Sequence, residues 1–163
     1  MNSAAIISRD GVYRYSLIRV WNTGLPRVLY IMLNPSTADA KKDDPTIRSC
    51  IRLAAELGYG SLEVVNLFAF RATNPAELAK AADPVGPLNT RIVSNAVRLS
   101  SVVICAWGAH KIAEAQFVRM EPVIDRGSNT FCFGTCKGGA PMHPLYIKSG
   151  TPLLPYGLSA RSD

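Results

Sequence analysis

With 163 residues, 48% of them hydrophobic and 18% charged, the chain has the make-up of a globular protein with one core, and a single α/β domain over residues 1–163 is expected. No stretch approaches the roughly 20 apolar residues that cross a bilayer, and "MNSAAIISRDG" lacks the basic start and long apolar run of a secretion signal, so a cytoplasmic protein without membrane contact is expected. The net charge of +6 favours polyanionic partners, but the Lys and Arg residues are scattered and form no basic tail.

Residues Val12 to Trp21, "VYRYSLIRVW", alternate roughly between polar and apolar, which predicts a half-buried antiparallel strand at a sheet edge. After "NTGLP", the apolar run Val28–Leu33 predicts a central strand, ending abruptly in Asn34-Pro35-Ser36-Thr37. Asp43-Asp44-Pro45 opens a helix: an Asp cap followed by Pro at the first helical position is a start signal, and Gly58 and Gly60 stop it. Leu62–Phe68 predicts a second buried strand, followed by the loop "RATNPAEL". Pro87–Leu99 reads as a helix, Ser101–Trp107 as a third strand, Ala109–Met120 as a helix and Thr130–Phe133 as a fourth short strand. From Gly134 onward the chain is rich in Gly and Pro and is expected to be irregular. Strands that alternate with helices imply right-handed crossovers. The expected fold is therefore a three-layer α/β/α sandwich with a mainly parallel four-stranded central sheet plus an N-terminal antiparallel edge strand.

In such a sheet, ligands bind beyond the carboxyl ends of the strands. Asn34 ends the first central strand, Asn66 lies near the end of the second with Arg71 beyond it, Trp107-Gly108 ends the third, and Lys137 and His143 follow the fourth. Asn34 is open to two readings, a local turn residue or a functional amide. Asn66 interrupts an apolar strand, and a buried amide without partners costs about 1–3 kcal/mol, so it needs a structural partner or a ligand. Trp107 reads equally as core packing or as a stacking surface. Of the two histidines, His110 falls on a predicted helix and reads as structural or exposed, whereas His143 is held in "PMHP" as a positioned functional group. The four cysteines contain no Cys-x-x-Cys pair, and no metal site or cofactor is expected from them; Cys50, Cys105 and Cys132 read as small buried hydrophobes.

The motifs "MLNPSTAD", "DDPTIR", "GYGSLEVVNLFAFRATNP", "DPVGPLN", "AWG" and "HPLYI" together resemble the bacterial and phage domain-of-unknown-function family 1643, from about Tyr15 to Pro152. Their order is more distantly similar to the uracil-DNA glycosylase superfamily. That likeness implies a uracil-DNA glycosylase-like fold, with Asn34 in "MLNPS" as the water-positioning residue, Asn66 in "VVNLF" as the base-reading amide, Trp107-Gly108 matching a later strand end, and His143-Pro144 matching the last motif. Ser36 stands where the related enzymes have glycine, and Leu145-Tyr146 stand where they have a small serine that approaches a DNA phosphate.

The resemblance implies an N-glycosidic bond hydrolase acting on a flipped or modified base, with a nucleic acid or nucleotide as partner. In that reading Asn34 and His143 are catalytic: Asn34 orients water, and His143 donates to the developing oxyanion. Asn66 binds the base edge; Phe68, Phe70 or Trp107 stacks on its face; Lys137 and Arg71 hold phosphates. The alternative is a protein that binds or processes a free nucleotide or modified nucleoside in the same pocket, with Mg²⁺ and phosphate held near Asp39, Asp43 and Asp44. A third reading is a non-enzymatic accessory domain.

Overall fold

The computed structural model describes residues 1–124 and 129–157. Its framework is a seven-stranded mixed sheet in the order β1-β2-β4-β3-β5-β6-β7. The strands are β1 (Asn2–Ile7), β2 (Arg14–Val20), β3 (Arg27–Met32), β4 (Ser61–Asn66), β5 (Val103–Cys105), β6 (Thr130–Cys132) and β7 (Leu154–Pro155). β4, β3, β5 and β6 run parallel, and β1, β2 and β7 are antiparallel to their neighbours. The four parallel strands are those expected from the apolar runs.

The expected five strands are too few, and the strand around Val12–Trp21 is not an edge. β2 lies between β1 and β4, pairing Ala4 with Ile18 on one side and Leu17 with Val64 on the other. β1 escapes prediction because "NSAAII" is mostly exposed and has no alternation to read. β7 has two residues, one of them a proline, and lies within the stretch expected to be irregular. Residues 158–163 of that stretch lie outside the described residues.

The helices are α1 (Pro45–Glu56), α2 (Asn89–Arg98) and α3 (Lys111–Ile124), with short 3₁₀ turns at Pro75–Lys80 and Pro144–Tyr146. α1 begins as its sequence dictates: Asp44 caps it by accepting from the Ile47 backbone N–H at 2.9 Å, and Pro45 takes the first turn. Alternate residues of the central strands point to opposite faces. Val28, Tyr30 and Met32 of β3 pack with Ile47, Cys50, Leu53 and Ala54 of α1. Leu29 and Ile31 pack on the other face with Val93 and Val97 of α2 and Phe117 and Met120 of α3. Both faces of the sheet carry a packed apolar core, which leaves the strand ends as the place for a cleft. Among the described residues no helix is long and apolar enough to cross a membrane.

Candidate functional site

Beyond the carboxyl ends of the parallel strands lies a cleft of about 470 Å³. Asn34, Asn66, Trp107 and His143 all line it, together with Arg14, Ser36, Asp44, Thr46, Thr73 and His110. The four residues singled out at strand ends therefore meet, although 109 positions separate Asn34 from His143 in the chain (143 minus 34).

Asn34 is fixed by its own amide. Its Nδ2 donates to the Ala72 carbonyl at 2.8 Å and to the Pro35 carbonyl at 3.0 Å. With both amide hydrogens engaged, Oδ1 is the atom left to serve the cleft, so Asn34 acts there as an acceptor. The loop around it is held by continuation of the strand ladder: Leu67 N–H bonds to Met32 O, Phe68 N–H to Leu33 O and Ala72 N–H to Pro35 O.

Asn66 is 1% exposed, and its Nδ2 is buried with no hydrogen-bond partner. Its backbone is fixed from behind: the fully buried Asn89, first residue of α2, donates to the Asn66 carbonyl at 2.9 Å and to the Leu67 carbonyl at 3.2 Å. A rigid backbone and an unsatisfied buried donor on a cleft wall are what a ligand acceptor requires.

His143 precedes the 3₁₀ turn Pro144–Tyr146, and its Nδ1 accepts from the Leu145 backbone N–H at 3.2 Å. In the neutral ring the proton then resides on Nε2, which makes that atom a donor. Burial lowers the His143 pKa below the usual 6.5, opposed by the negative charge of Asp44, so the neutral donor form prevails at pH 7. Gly108 packs against this loop. Its N–H bonds to Pro141 O at 2.9 Å, and its φ of +77° is a conformation that suits glycine. A Cβ added there would already lie 3.5 Å from the His143 Cβ.

Trp107 touches the cleft but is 3% exposed. Its ring packs on Phe117 at 4.7 Å between centroids and edge-on to Tyr156 at 5.9 Å, so most of it belongs to the core. Phe68, Phe70, Arg71 and Lys137 do not line the cleft. Phe68 faces a separate hollow of about 240 Å³ beside α3, Phe70 packs edge-on against Tyr13, Arg71 donates to the Gly11 carbonyl at 3.4 Å, and Lys137 lies exposed in a turn. The aromatic side chain exposed at the cleft rim is Tyr146, 75% exposed, beside the half-exposed Leu145.

The acidic loop divides its three carboxylates. Asp39 accepts from the backbone N–H groups of Lys41 and Lys42, which lowers its pKa; Asp43 pairs with Arg19 at 2.8 Å; Asp44 caps α1. Among the described residues no three His, Cys, Asp or Glu side chains are grouped to hold a metal.

Sequence reasoning missed Arg14, Asn89 and the rim position of His110. His110 is exposed and sits just before α3 rather than within it. Asn89 carried a faint signal, an amide at the start of a predicted helix. Arg14 carried none, because an arginine in an alternating strand reads as solvent-facing.

No curated protein and no solved structure matches this chain. A family model described as "Protein of unknown function (DUF1643)" matches residues 14–145, from Arg14 on the cleft wall to Leu145 at its rim. That match covers most of the 163 residues, and the chain belongs to this family.

Proposed function

We propose that the cleft receives a flipped or modified nucleobase and that the protein hydrolyses its N-glycosidic bond. The observation that carries this reading is the buried, unpartnered Nδ2 of Asn66 in a cleft shared with Asn34 and His143. Asn66 donates to an acceptor on the base edge. Asn34 Oδ1 accepts from a water and aims its oxygen at the sugar C1′. As the oxygen bonds to C1′, the C1′–N bond breaks, the electron pair leaves with the base, and the water's proton passes to solvent. His143 Nε2–H stabilises the negative charge gathering on the departing base. An amide is a poor base, so the reaction is slow compared with one assisted by a carboxylate. Support also comes from the sequence alone, in the distant likeness of its motif order to the uracil-DNA glycosylase superfamily, which has asparagines at the positions of Asn34 and Asn66. The exposed Tyr146 is the ring placed to contact an entering base.

A second reading, binding or processing of a free nucleotide or modified nucleoside, is favoured by Asp39, a carboxylate on the loop that follows Asn34 whose charge would repel a DNA backbone. The test is incubation with oligonucleotides carrying uracil, mismatched or hypermodified bases, with chromatographic detection of released base, beside the matching free nucleosides and nucleotides. Base release from an oligonucleotide supports hydrolysis on nucleic acid. Binding or turnover of the free compounds alone supports the second reading, and inertness toward both overturns the function proposed.

A further inference from the structure

Arg14 has no use in the reaction just described, yet it places a buried positive charge on the cleft wall. It is 2% exposed. Its Nη1 donates to the Ala38 carbonyl at 2.9 Å, but its Nε is buried without a partner. The ion pairs among the described residues are Arg19–Asp43, Arg27–Glu63 and Arg52–Glu56, and Arg14 belongs to none of them. A buried guanidinium without a counter-ion costs several kcal/mol. Burial draws its pKa down to about 10, which Asp44 opposes and the positive charges of Arg71 and Arg19 reinforce. It therefore stays charged at neutral pH.

Asp44 is the one carboxylate on the cleft wall among the described residues, and it is already engaged. One of its oxygens accepts from Ile47 N–H at 2.9 Å and the other from Ala38 N–H at 3.3 Å. Its charge is turned toward the first turn of the 12-residue α1, whose dipole it satisfies. Thr46 of that turn and the Ser36 and Thr73 hydroxyls, 3.5 Å apart, line the same cleft and add donors for an oxygen-rich group.

We infer that Arg14 forms an oxyanion subsite, so that the ligand of this cleft carries a carboxylate or phosphate group in addition to the acceptor read by Asn66. The shared chemistry is a planar or tetrahedral oxyanion accepting from the Arg14 Nε–H. The inference rests on the nucleobase reading only for the identity of the rest of the ligand.

Calorimetric titration of the full chain at one fixed ionic strength tests it. The probes are uracil, its carboxylate orotate, uridine, uridine 5′-monophosphate and inorganic phosphate. Wild-type protein is expected to bind orotate over uracil, or the monophosphate over uridine, by at least tenfold. Whichever pair shows the preference identifies carboxylate or phosphate as the source. Arg14→Met should erase the preference, and Arg14→Lys should keep the charge but lose much of it. Equal affinity for charged and neutral partners in wild-type protein overturns the subsite while leaving the nucleobase reading intact. If no pyrimidine binds, but phosphate raises the melting temperature of wild type and not of Arg14→Met, the subsite stands and the nucleobase reading fails. No response to orotate, the monophosphate or phosphate overturns the subsite. Should Arg14→Met not fold, Arg14→Lys and the wild-type preference decide by the same criteria.

Discussion

Arg14 and Arg19 leave the same strand, are buried to 2% and 1% exposure, and reach the same loop, yet their guanidinium groups meet opposite surroundings. Every nitrogen of the Arg19 guanidinium has a partner: it pairs with Asp43 at 2.8 Å and donates to the carbonyls of Ile18, Asp39 and Lys42. Arg14 reaches one carbonyl and keeps Nε unpartnered. The difference separates scaffold from site. Arg19 ties the loop 38–44 to the sheet so that Asp44 can cap α1, whereas Arg14 is held beside the cleft with bonding capacity left over.

The comparison can be broken by mutation. The largest effects should fall on turnover in the cleft. His143→Ala is expected to lower kcat by about 100-fold, the usual cost of one oxyanion donor, with a smaller loss of ligand affinity. Equal losses in kcat and affinity would deny His143 a transition-state role. Arg19→Met should be the largest effect on stability, about 3 kcal/mol by denaturant titration, because it strands Asp43 and frees the loop. Arg14→Met should cost less than about 1 kcal/mol, since it removes a buried charge that has no ion partner. Similar losses for the two arginines would erase the distinction drawn between them.

Asn34 lies between these classes. Asn34→Ala should abolish turnover and also cost about 1–2 kcal/mol, because two hydrogen bonds to Pro35 and Ala72 carbonyls disappear. Asn34→Asp should be worse for stability, since a carboxylate would face both carbonyls. Full activity in Asn34→Ala would make Asn34 a turn residue only.

The smallest effect is on pH. His143 has a folded pKa below its unfolded value, so unfolding takes up a proton between the two. Its stability contribution is complete above pH 6.5 and fades as pH falls toward the folded value. The rate should fall over the same lower range because protonation of Nδ1 ends its acceptance from the Leu145 N–H and releases the ring from its position. A rate limb centred above pH 6.5 would assign the titration to another group.

Three of the residues legible from sequence sit at or just after the ends of apolar strands. Asn34, Asn66 and Trp107 inherit their position from β3, β4 and β5, whose runs were plain to read. Phe68 and Phe70 were misplaced because the chain beyond β4 stays extended instead of curling into the cleft. Their backbone N–H groups bond to Leu33 and Pro84, which sends one ring into the core and the other onto Tyr13. Trp107 was ambiguous because its burial depends on Tyr156, 49 positions later (156 minus 107), in the segment expected to be irregular. The burial of Arg14 depends on a loop and a covering strand that no local pattern announces.

The two outer strands have unequal consequences for how copies of this chain meet. β7 offers two residues, one of them a proline, too little backbone for another strand to join. β1 presents six residues whose outward N–H and C=O groups have no sheet neighbour among the described residues, with Ile6 half exposed beside them. Crowded solutions of this protein should therefore add strands from the N-terminal side only, and a lysine or proline placed on the outer row of β1 is the substitution that would keep it monodisperse.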